Sequence, residues 1–165
     1  MILGLPTATY TLIHVLISLI AIATGLIVMF GLLSNRRMDG LTAVFLLFTA
    51  LTSLTGFAFP NTHLTPGLKA GIISLAVLAV AALARYALHL SGVWRRIYVV
   101  TAMVALYLNV FVLIVQLFEK VPTLNALAPK QTEPPFAITQ LAVLLLFVAL
   151  TIAAAIKFRG ERVPA

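Results

Sequence analysis

Five long apolar stretches, separated by short clusters rich in Gly, Pro, Asn and Arg, make up most of this chain. They cover residues 10–33, 41–59, 68–90, 97–118 and 136–156. A helix of about 20 apolar residues crosses the hydrocarbon core of a bilayer, and each stretch is close to that length. None alternates apolar and polar positions as a strand of a membrane barrel would. Backbone groups in lipid must find partners within their own segment, so the pattern predicts five transmembrane helices. The linkers are SNRRMDG, PNTHLTPG, SGVWRR and a long loop at 119–135, and residues 157–165 form a tail. The opening MILGLPTATY lacks Lys and Arg, and the apolar run behind it is too long for a signal-peptide core. It therefore reads as the start of a retained helix. The expected fold is a single all-α membrane domain over 1–165, a polytopic helical bundle.

A second pattern runs along each helix. Small and polar residues recur at three–four spacing, the spacing of one helix face. The stripes are Thr11, His14, Ser18, Ala21 and Gly25; Thr42, Phe45, Thr49, Thr52 and Gly56; Ala70, Ser74, Val77, Ala81 and Ala84; Ala102, Ala105, Asn109, Val112 and Gln116; and Gln140, Leu144, Phe147, Thr151 and Ala154. Small residues let helix backbones approach closely in lipid. These faces are the expected packing seams, and the Leu, Ile, Val and Phe faces opposite suit lipid. Five stripes meeting in one seam would bring their polar residues together.

Composition agrees and narrows the class. The hydrophobic fraction is 62% and the charged fraction 9%, against roughly 45–50% and 25% in soluble domains. The net charge of +7 is placed at helix ends, so it points to lipid headgroups and membrane topology, with no nucleic acid as partner. Arg36, Arg37, Arg85, Arg95, Arg96, Lys157, Arg159 and Arg162 fall on one side, and Lys69, Lys120 and Lys130 on the other. That asymmetry predicts an outer N-terminus and a cytoplasmic C-terminus. Trp94, Tyr98 and Tyr86 fit an inner aromatic belt and Tyr10 an outer one. There are no cysteines, which removes thiolate metal sites, iron–sulfur clusters and thiol redox chemistry.

Candidate chemistry sits in two layers. At 1.5 Å per residue, His14 and Gln140 lie roughly 6 Å below the outer ends of their helices, and Gln116 roughly 3 Å. His63 lies in the second linker, and Glu119 and Glu133 bound the long loop. Imidazole and carboxylate suit Zn, Cu(II) or Fe, and two His from different segments could ligate a haem. His14, His63, Glu119 and Glu133 are thus the candidate ligands for a transition metal, with His14 and His63 for a haem. The competing reading has His14 bonded to a neighbouring helix and His63 simply in a wet loop. Asn109, roughly 14 Å deep, needs partners for its amide, and a Ser or Thr hydroxyl on a neighbouring stripe could supply one. In the inner layer, Arg85 and His89 are four apart on one predicted helix face. Arg85 is near enough to the end to snorkel, with Asp39 available to it or to Arg95. The loop at 119–135 holds four prolines, and TLNALA within it could form a short surface helix. Loops of that length are often functional, here as a docking surface or a lid.

No carboxylate falls within a span, and phosphate-binding loops, nucleophile elbows and dinucleotide motifs are missing. The segments TGFAFPNTHLTPG, ALYLNVFVLIVQLFEKVPTLNALAP and KQTEPPF resemble a family of small hypothetical polytopic inner-membrane proteins of proteobacteria. The resemblance implies a bacterial inner membrane and a multi-helix fold, and brings no activity, cofactor or catalytic residue. The leading expectation is a non-enzymatic accessory subunit that binds a membrane-protein partner or its own copy. The alternatives are a metal- or haem-binding redox protein at the outer face and a small oligomeric channel or transporter.

Overall fold

The computed structural model describes residues 1–60 and 64–160. Six α-helices follow in order: α1 (Thr7–Leu33), α2 (Asp39–Phe57), α3 (Pro66–Ala82), α4 (Trp94–Lys120), α5 (Pro122–Leu127) and α6 (Pro134–Lys157). A single π turn, Leu83–Ala87, prolongs α3. Counting that turn, five of these helices are long and apolar enough to cross a membrane, and α5 is a short helix within the long loop. Predicted ends differ from observed ones by at most three residues, as with Leu90 against Ala87. Most helices start two or three residues earlier than the apolar runs, in their first polar turn, whereas α2 and the π turn stop short, at Phe57 and Ala87. Pro66, Pro122 and Pro134 each occupy a first turn, where a missing N–H costs nothing. Thr65 caps α3 by accepting from the Leu68 amide at 3.3 Å.

Helices α1 to α4 pack as neighbours in sequence order, and α1 also meets α4. α6 lies against α4 and α1, on the outside of this group. Every stripe supplies buried positions, among them Ala21 and Gly25, Thr42 and Thr49, Ser74 and Ala81, Ala102 and Ala105, Phe147 and Ala154, beside larger residues off the stripes such as Met29, Tyr98 and Leu106. The stripes meet pairwise, because α6 packs from outside, so the five do not share one seam, a point the helical period leaves open. Leu144 and Gln116 of the predicted stripes are exposed.

Tight packing is concentrated toward the arginine-bearing end, around Leu32, Phe45, Ala81, Tyr98, Met103 and Leu106. Gly25 is essential to it. A Cβ there would stand 2.6 Å from Leu106 Cδ1 and 2.8 Å from the Phe45 ring, so only glycine lets α1, α2 and α4 close together. At the other end Ile114, Phe118 and Ala128 form a smaller cluster beneath the α5 segment.

Candidate functional site

At the end carrying the N-terminus, α1 and α2 build a polar and aromatic cluster. The His14 ring nitrogen Nδ1 lies 2.7 Å from Thr55 Oγ1. Thr55 donates its own proton to the Leu51 carbonyl at 2.7 Å, so the imidazole is the donor and its Nε2 carries the lone pair. Tyr10 donates to the Thr55 carbonyl at 2.9 Å, and Phe59 stacks edge-on against both Tyr10 and His14. Gly56 leaves ordinary van der Waals room for the imidazole.

The other candidates of this layer have separate surroundings. Gln140 is buried on α6 and donates to the Phe111 carbonyl at 3.2 Å, while its own Oε1 finds no described partner. Gln116 is exposed and reaches only Glu119, at 3.5 Å. Glu133 accepts from the amides of Lys130 and Thr132 at 3.2 and 3.0 Å. Desolvation opposes its ionisation, but the backbone N–H groups and the Lys130 charge outweigh it and hold the carboxyl below its ordinary range. The long loop is pinned as a packed cap. Gln131 donates to the Val115 carbonyl at 2.9 Å, Asn125 to the Phe118 carbonyl at 3.2 Å, and Ala128 is fully buried. Among the described residues no three His, Asp or Glu gather as a metal site would require. His63 lies outside the described residues, and with it the proposed pairing of His14 and His63.

Midway along the bundle, Asn109 donates to Thr49 Oγ1 at 3.0 Å, a buried link between α4 and α2. Thr49 thus supplies a partner that a buried amide needs.

The arginine-bearing end differs most from its sequence reading. Arg85 is 3% exposed and does not snorkel into water. Its guanidinium bonds the Asp39 carboxylate, which also accepts from Arg37 Nε at 2.7 Å. The same group lies 5.1 Å from the Tyr98 ring centre and 5.8 Å from that of Tyr86. Tyr98 is fully buried, so it belongs to this core and not to an aromatic belt. Arg95 takes no part in the Asp39 pairing and instead donates to the Arg159 carbonyl at 3.0 Å. Arg85 and His89 do not share a helix face. The helix ends at Ala87, and His89 is exposed with φ 51°. The helix closes with a π turn, the Leu88 amide donating to the Leu83 carbonyl at 3.0 Å, and His89 follows in a left-handed turn.

One feature of this end has no counterpart in the sequence reading. Residues 158–160 fold back as a strap across it. Phe158 is 1% exposed and packs by Tyr98, and the Arg159 amide donates to Asn35 Oδ1 at 2.6 Å. The only sequence signal is an aromatic residue and a glycine just past an apolar helix. A scan against protein-family models finds no match for the chain, and neither do searches of curated proteins and of solved structures.

Proposed function

We propose that this chain is a non-enzymatic, multi-pass membrane subunit that receives a helix of a partner membrane protein on its α4–α6 side. We place it in a bacterial inner membrane with its N-terminus outside, following the arginine asymmetry. The observation that carries the partner reading is the shape of that side. α6 buries only 6% of its most apolar stretch, against 44% for α4. Between the two helices runs an apolar cleft of about 180 Å³, lined by Met103, Tyr107, Leu144, Phe147, Val148 and Ile152 among others. Lipid tails are as apolar as leucine, so exposure alone drives no association; a shaped cleft that a helix ridge can fill supplies the packing that does. His14, Asn109 and Gln140, the polar side chains that suggest a ligand or a solute path, support the same reading by bonding neighbouring helices.

Photo-crosslinking from Val148 and Ile152 in native membranes tests it. A discrete adduct with another protein is expected. Adducts of two copies would replace the partner with a self-association, and a monomer at both positions would defeat the proposal. Orientation has its own test, made simple by the absence of cysteine. Thr123→Cys should react with an impermeant thiol reagent from outside the cell, and Arg96→Cys only after lysis.

A further inference from the structure

Two helices leave the apolar layer side by side at the arginine-bearing end. α1 passes there from Leu33 to Ser34, and α6 from Ile156 to Lys157. Between them lies an open groove of about 480 Å³, lined by Leu33, Ser34, Asn35, Ile156, Lys157 and Arg159. Its apolar members are Leu33 and Ile156, one from each side, and Ile156 is 75% exposed. Ser34, Asn35, Lys157 and Arg159 bring side-chain donors to the same groove. The bond from the Arg159 amide to Asn35 Oδ1 ties the two helix ends together across the groove.

Charge at this end is lopsided. Among the described residues it bears Arg36, Arg37, Arg85, Arg95, Arg96, Lys157 and Arg159, and the one carboxylate, Asp39, is held by Arg37 and Arg85. No described carboxylate forms an ion pair with Lys157 or Arg159.

We propose that this groove binds an anionic glycerophospholipid, with its phosphate on Lys157 and Arg159 and its glycerol and upper chain against Leu33 and Ile156. Phosphate oxygens accept charge-assisted hydrogen bonds from such donors. Basic pockets between helices at the cytoplasmic level suit anionic headgroups. A choline headgroup brings its own cation toward the two basic side chains and is disfavoured. Free phosphate matches the donors but leaves Leu33 and Ile156 uncovered. The inference rests on insertion in a membrane and is independent of any partner at α4–α6, so a monomer in the crosslinking experiment leaves it intact.

The test is native mass spectrometry of the full chain released from nanodiscs containing phosphatidylglycerol and phosphatidylcholine in equal amounts. The protein should retain phosphatidylglycerol over phosphatidylcholine by about tenfold or more. The double variant K157Q/R159Q should lose about a tenfold preference. R36Q/R96Q removes the same charge at two residues that do not line the groove and should keep the preference within about twofold. S34F fills the groove at constant charge and should also release the lipid. Equal retention of the two lipids would overturn the proposal, as would equal loss in the two double variants, which marks general surface charge. Displacement of phosphatidylglycerol by millimolar inorganic phosphate would also overturn it, by marking a free-phosphate site.

Discussion

At the scale of single residues, close approach and polar pairing dominate. Gly25 lets three helices meet, since a Cβ would fall well inside contact distance of Leu106 and Phe45. Overpacking costs about 1–3 kcal/mol, which outweighs the gain of about 1 kcal/mol from replacing glycine within a helix. Gly25→Val should therefore lower the unfolding midpoint in detergent, while Gly40→Ala, with open space around it, should not. The Asn109–Thr49 bond makes a second prediction at this scale. Interhelical hydrogen bonds in lipid average about 0.6 kcal/mol and reach about 1.7. A double-mutant cycle with Asn109→Leu and Thr49→Val should return a coupling in that range, and a zero coupling would remove the bond from the account of stability.

At the scale of elements, the π turn and the long loop carry the lessons. The turn at Leu83–Ala87 sets Arg85 beneath Tyr98 and beside Asp39. Removing the carboxylate leaves a cation that is 3% exposed without its counter-charge. A fully buried pair broken this way costs about 3–5 kcal/mol. Asp39 has a side chain 57% exposed, so Asp39→Asn should cost less, about 1–3 kcal/mol. Arg85→Met should be milder, because Asp39 keeps both water and Arg37. Comparison of the two midpoints checks the order. In the loop, Glu133 is held below the ordinary carboxylate value of 4.5 by the amides it accepts from. Its contribution is therefore complete above that value and is lost as pH falls through the lower folded value. Hydrogen exchange at Lys130 and Thr132, corrected for intrinsic pH dependence, should show protection at neutral pH that fades in acid. Glu133→Gln should lack that pH-dependent part.

At the scale of the whole molecule, α6 is the outlying member. It touches α4 and α1, and it is fastened at both ends: by Gln140 on the Phe111 carbonyl and by the strap that follows Lys157. The strap makes the arginine-bearing end one unit, because Arg159 bonds both Asn35 and Arg95 and Phe158 packs by Tyr98, joining segments far apart in sequence. Phe158→Ala should cost about 3 kcal/mol if its burial by Tyr98 matters as in other cores. It should also raise hydrogen exchange in the last turns of α6 before it affects α2 or α3. Uniform loosening of all helices would instead assign the strap no local role.

The number, order and approximate ends of the helices were legible in the sequence. Lipid permits no unsatisfied backbone, and only an apolar run of sufficient length meets that condition. The packing stripes were legible too, since close approach in lipid needs small residues at helical spacing. The depth of Asn109 showed that its amide needs a partner, and the structure made that partner the Thr49 hydroxyl. The sequence could not say which stripes face each other, because period fixes a face and leaves its neighbour open. Only the tertiary structure set α6 outside the other four and gave His14 to Thr55. It alone buried Arg85 and parted it from His89. The helix closes in a π turn and stops at Ala87, leaving His89 in a left-handed turn, and no side-chain pattern at 83–87 marks that end. The strap and the groove beside it are likewise contacts between segments up to 124 residues apart. Local pattern determines what each helix is, and long-range packing decides what its polar ends meet.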